Sequence, residues 1–225
     1  MPDTTYVRFQ PPSSLCTTGL QAQILTGVFL QLLRAHFASA DRIEEPRLKE
    51  SIWIPKAGDN VTPDPARTKI SIEPVYRWDP RQMQSMPQLV IKRNAMQPRN
   101  RVGIGMNEMF KLGGIPEKDL PEAGREYYLP FTGSHTVFCI GVDGGIAELL
   151  STEVSREMYQ FGRVITEEFG FEFFELAEIG GIARLEDHFE SFVVPVTFQY
   201  GFYDHWTVTK LEPRFKGVSL TAQPD

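Results

Sequence analysis

The chain has 225 residues, 41% of them hydrophobic, which is enough for one substantial core carrying arms and loops. Its net charge of −6 argues against a general nucleic-acid binder, which needs a basic footprint. Cys16 and Cys139 are too few for a disulfide framework and are expected as reduced, mostly buried thiols.

The opening MPDTTYVRFQPPSS has neither the basic start nor the apolar run of a secretory signal. Residues 1–18 read as an extended arm, because Pro11-Pro12 rules out helix. Thr18-Gly19-Leu20-Gln21 resembles a capping box and opens a predicted helix to Ala38. Its apolar stripe is Leu20, Ile24, Val28, Leu32 and Ala35, widened by Leu25 and Phe29. The near-apolar stretch 24–33 is far too short to span a bilayer. Residues 41–53 predict a second short helix that ends before Pro55.

Three prolines, Gly58 and Asp59-Asn60 make 55–68 a surface loop. Residues 70–78 alternate as a strand, QLVIKR (88–93) is another, and a turn-rich connector separates them. The Gly- and Pro-rich segment 106–130 reads as a long loop that orders against a neighbour. After a strand from Phe131, the firmest element is a helix over 146–169. Ile146, Leu150, Val154, Met158, Phe161, Ile165 and Phe169 share one face of it. Glu148, Glu153, Gln160, Arg163 and Glu167 are placed mostly away from that face, and Gly170 stands where a helix ends. At about 1.5 Å per residue it is long enough to cross a sheet of four or five strands.

The run FEFFELAEIG reads as a further strand. Phe192 to Tyr200 and Trp206 to Lys210 each alternate, and with a turn at 201–204 they predict a β-hairpin. Pro195 demotes its strand to an edge or a bulge. The fold class is therefore α+β: a mixed, mostly antiparallel sheet packed against a long amphipathic helix and an N-terminal helix, with extended arms and loops. Residues 19–212 form the single domain and 213–225 a C-terminal tail.

Charge is unevenly placed. Arg77, Arg81, Lys92, Arg93, Arg99 and Arg101 stand against Asp79 alone, giving +5 over 77–101. Over 148–190 eleven acids face Arg156, Arg163 and Arg184, giving −8. Opposed blocks suit head-to-tail contact between identical copies. The interface candidates are Lys92, Arg93, Arg99, Arg101, Glu167, Glu168, Glu186, Asp187 and Glu190.

The chemistry-bearing motifs are weaker. Gly103-Ile104-Gly105 has Glu108 where a dinucleotide fingerprint needs its third glycine. Ser134 and His135 are adjacent on a strand, so their side chains point to opposite faces and cannot pair. Glu186, Asp187, His188 and Glu190 with Asp204 and His205 are the best metal-ligating set. In the expected hairpin, His188 and His205 lie about 40 Å apart, too far for one ion. The readings are therefore no metal, no cofactor and no catalytic residue. A small hydrolase using the 186–190 cluster with His205 and a monomeric ligand-binding module are the alternatives from other classes.

The segments VYRWDPRQMQSMPQLVIKRN, RNRVGIG and FTGSHTVFCIGVDGGIAELLSTEVSREM resemble neck proteins of tailed bacteriophages, of the tail terminator class. The resemblance implies a virion protein, assembled in the host cytoplasm, that forms a homohexameric ring closing the head-proximal end of the tail tube. Its implied partners are further copies of itself, the tail tube protein, the sheath where the tail contracts, and the head connector or adaptor proteins. Genomic DNA would pass through the channel without sequence-specific binding, and neither membrane, cofactor nor catalysis is implied. The loops at 55–68 and 106–130 look longer than a minimal terminator, which leaves a head-completion or connector-adaptor protein, or a baseplate component, as alternatives.

Overall fold

The computed structural model describes residues 20–78, 86–99, 125–185 and 188–208. It gives side chains for these apart from 20–23, 60, 125–129, 188–190 and 203–208. The fold is α+β, with a mostly antiparallel seven-stranded sheet. In chain order the elements are α1 (Leu20–His36), β1 (Pro55–Lys56), β2 (Asp59–Pro63), β3 (Ser71–Pro74), β4 (Gln88–Arg93), β5 (Gln97–Pro98) and β6 (Arg125–Gly141). They continue as α2 (Gly144–Phe169), β7 (Phe173–Ile179), β8 (Ala183–Leu185) and β9 (His188–Val208). The sheet order is β3-β4-β6-β9-β7, with β5 also on β6 and β8 also on β9; only β3–β4 is parallel. The expected arm at 1–18 and the tail at 213–225 lie outside the described residues.

α2 follows from its sequence at both ends. The Asp143 carboxylate accepts from the Ile146 N–H at 2.8 Å, and Gly170 closes the helix in the left-handed region at φ 65°. Leu150, Val154, Met158 and Ile165 are buried, and Ile146, Phe161 and Phe169 pack against the same core, as their spacing predicts. Glu153 departs from that reading, since it is buried.

α1 turns a different stripe inward. Leu25, Phe29 and Leu33 are fully buried, whereas Ile24, Val28 and Leu32 are half-buried and Ala35 is exposed. The helix is apolar over a wide arc, so period alone leaves its rotation open. Phe29 decides it, lying 5.6 Å from Phe198, 5.9 Å from Phe174 and 5.2 Å from the His135 ring.

The helix expected over 41–53 is only a 3-10 turn at Pro46–Leu48. Ile43, Leu48 and Trp53 are buried, and their five-residue spacing fits no helix face. The expected loop at 55–68 contains the small β1–β2 sheet, turned by Gly58 at φ 83°. The strand expected over 70–78 stops at Pro74. There the Arg77 N–H bonds to the Pro74 carbonyl at 3.0 Å, and the turn lifts Val75 and Tyr76 into solvent. The long loop expected over 106–130 ends sooner, because β6 already begins at Arg125; residues 106–124 lie outside the described set.

The largest correction concerns the expected hairpin. Residues 201–204 make no turn: β9 runs unbroken for 21 residues and all 17 residues of β6 are registered on it. Gly201 is a site of close approach within a strand, because a Cβ there would stand 2.4 Å from the Phe173 ring. Gly133 likewise lies under the Tyr200 ring. Pro195 also sits differently from expectation, on an interior strand. Its carbonyl accepts from the Gly180 N–H at 2.8 Å, so its missing donor faces the gap between the end of β7 and the start of β8.

Gly201→Ala is therefore expected to destabilise the protein by about 1–3 kcal/mol, since the half-buried Phe173 ring must move. Gly181→Ala, where a Cβ meets nothing within 4 Å, is the matched control. Urea unfolding of the two variants checks this, and equal midpoints would count against it.

Candidate functional site

Two buried polar clusters and two sheet edges hold what chemistry the described residues offer. The first cluster joins the helices. His36 on α1 places Nε2 2.7 Å from Glu153 Oε1 and Nδ1 3.0 Å from Glu157 Oε2. The same Glu153 oxygen accepts from the Glu44 N–H at 3.1 Å, while its other oxygen is buried without a partner. The two ring nitrogens address different carboxylates on opposite sides of the imidazole, so the three side chains do not converge on one point. The arrangement acts as a polar bolt between α1 and α2. It also removes two acids from the surface charge that the sequence suggests for 148–190.

The second cluster is centred on the fully buried His135 of β6. Its Nε2 is 2.6 Å from Thr26 Oγ1 and its Nδ1 is 3.1 Å from the Tyr200 hydroxyl. A neutral imidazole has one donor and one acceptor nitrogen, and two hydroxyls satisfy both. Burial, with a smaller contribution from the Arg93 cation, lowers the His135 pKa to about 4. Ser134 points to the opposite face, where its hydroxyl accepts from Asn94 Nδ2 at 3.0 Å, as strand alternation requires. Burial also pushes the Cys139 thiol up, which keeps it protonated and unreactive; Cys16 lies outside the described residues.

The interface candidates fall into separate places. Lys92 and Arg93 are exposed at the end of β4, and Glu167 and Glu168 are exposed in the last turn of α2. Glu167 is held by Arg163 at 2.7 Å. Arg99 is already engaged within the chain, bonding Glu172 at 2.7 Å with its guanidinium 5.5 Å from the Phe173 ring centre. Arg101, Glu186 and Asp187, like Gly103 and Gly105, lie outside the described residues. Glu190 is described only as a backbone position on β9.

His188 and His205 stand on a single strand, 17 positions apart, which at about 3.3 Å per residue is roughly 55 Å. Among the described residues no three His, Cys, Asp or Glu side chains are grouped to share a metal ion. No helix among them is long and apolar enough to cross a membrane.

Two open grooves flank the sheet. One, of about 460 Å³, lies between α2 and β7 over Phe174 and Leu176. The other, of about 500 Å³, lies between α1 and the β3–β4 side, with Thr26, Tyr76 and Arg93 on its wall. The sequence reading missed both, along with the His36 bolt. A lone histidine in an apolar stripe facing Glu153 and Glu157, four residues apart, was the one available signal for the bolt. A comparison of the sequence with protein-family models and with curated proteins finds no match.

Two outcomes follow from the buried clusters. Glu153→Ala strips His36 of one carboxylate and the Glu44 N–H of its acceptor. It is expected to cost about 3–5 kcal/mol in chemical denaturation, and a loss below about 1 kcal/mol would contradict the bolt. His135 has a folded pKa near 4, below its ordinary 6.5. Its contribution to stability is thus complete above pH 6.5 and is lost as pH falls from 6.5 to about 4, in total about 3 kcal/mol. Urea unfolding across that window should show a steeper acid loss in the wild type than in His135→Gln. Equal slopes would remove the assignment.

Proposed function

We propose that this chain is a structural subunit of a tailed-bacteriophage neck, of the tail terminator kind. In this reading it closes into a homohexameric ring on the head-proximal end of the tail tube and passes DNA through the bore. The observation that carries it is the ribbon at the end of the sheet. Residues 125–130 pair with 203–208 beyond the last residues of β6 and β9 that meet β4, β5 or β7. Among the described residues only the Arg99 N–H reaches this stretch from a third segment, at the Pro130 carbonyl (2.8 Å), and at about 3.4 Å per residue the stretch is roughly 20 Å long. A two-stranded ribbon is at best marginal by itself in water, so one of this length gains most where other surfaces cover it. A ring of copies docked onto a tube supplies such surfaces.

Charge supports the same reading. A net of −6 over the chain disfavours arrest of passing DNA, while cations and carboxylates gathered in different places favour contact between copies. The finer picture, in which an N-terminal arm and long loops reach the tube, a sheath or the head connector, belongs to this proposal. A head-completion or connector-adaptor ring of the same neck is favoured by the 26 residues between β5 and β6, a long connection for a minimal terminator.

Light scattering followed by negative-stain imaging tests the class. The expected result is closed rings of five or six copies with an open centre. A compact single-copy particle at every concentration would overturn it.

A further inference from the structure

The two edges of the sheet differ in charge and in shape, and the difference is complementary. At the β7 edge, Phe174 and Leu176 are half-buried beneath the α2 groove of about 460 Å³, while the Phe173 ring lies on the other face of the strand over Gly201; Tyr159 stands 76% exposed on the groove wall. Glu175 borders this groove from the other face of β7, with Glu168 and Glu178 exposed nearby in chain order, and none of the three has an ion-pair partner among the described residues. Glu167 and Glu172 are already matched by Arg163 and Arg99. The uncompensated charge of this edge is therefore negative.

The opposite edge presents the reverse. β3 stops at Pro74 while β4 continues to Arg93, so the corner between them has no strand outside it among the described residues. The turn there holds Tyr76 out to 76% exposure beside Val75. Arg77, Lys92 and Arg93 are exposed around it without an ion-pair partner among the described residues. Glu73, the carboxylate on β3, acts on Arg34.

We propose that the α2–β7 groove of one copy receives the Tyr76 corner of the next copy. In that docking the tyrosine lies on the aromatic floor, and Arg77, Lys92 and Arg93 face Glu168, Glu175 and Glu178. This inference rests on the ring reading above and names the contact that would close the ring. The occupant is a second copy because the uncompensated charges of the two surfaces oppose in sign, and because the two surfaces lie at opposite ends of one sheet. An interface between unlike patches repeats head to tail, and closes into a ring when its rotation permits.

A charge-swap experiment tests it. One variant carries Glu168→Lys, Glu175→Lys and Glu178→Lys; the other carries Arg77→Glu, Lys92→Glu and Arg93→Glu. Each alone has two faces of like sign and should sediment as a single copy, while an equimolar mixture should return to rings of even copy number. Circular dichroism and melting temperature close to wild type establish that each variant is folded. If a reversal set fails that check, the milder Glu175→Gln with Glu178→Gln should still weaken assembly and reduce its salt dependence. Wild-type rings that persist in either reversed variant, or folded variants that stay single in the mixture, overturn the interface and leave the ring reading standing. A wild type that is a single copy under all conditions overturns both.

Discussion

The structure depends on the β6–β9 ladder. It is the longest pairing among the described residues, and every other strand of the sheet is hydrogen-bonded to one of these two or, in the case of β3, to β4 beside them. α2 leaves β6 through the Asp143 cap and returns the chain through Gly170 to β7, on the far side of β9. The helix therefore lies over the strands whose order it joins, and the buried row Val137, Cys139, Val196, Phe198 and Tyr200 becomes its floor. Shortening either strand would remove sheet, helix footing and ribbon together.

How much of this is legible in sequence depends on whether a local signal had a rival. QLVIKR is a strand with its predicted bounds, because four consecutive buried residues end abruptly in Lys92-Arg93. α2 is legible because seven apolar residues repeat at helical spacing and Gly170 stops them. Gly201 has two readings, a turn or a close approach, and only the partner strand decides. Phe173 is 28 positions away in sequence, so no local window contains it. The rotation of α1 is hidden for the same reason, since both Leu32 and Leu33 offer apolar side chains and the choice is made by distant rings.

The candidate surfaces were legible as composition and not as geometry. Counting charges along 148–190 treats every acid as a surface acid, yet Glu153 and Glu157 face inward onto His36. A helix that spans a sheet must pass some polar positions under its neighbours, and α1 ends against α2 at that point with His36. Likewise Arg99 belongs by sequence to the basic block and by contact to Glu172. What remains after these internal pairs are removed is smaller than the sequence totals and better segregated.

That segregation bears on symmetry. An open strand edge is a template for another strand, and like charges placed opposite each other destabilise such a pairing. The β7 edge, with Glu175 and Glu178 exposed, therefore disfavours meeting another β7 edge. The β3 edge is short, ends in Pro74 and is followed by cations, so it disfavours meeting itself as well. Both self-complementary dimers are thus weakened by the same charges that favour joining unlike edges. A chain built this way resists pairing off into closed twofold dimers, which would consume subunits that a head-to-tail assembly needs.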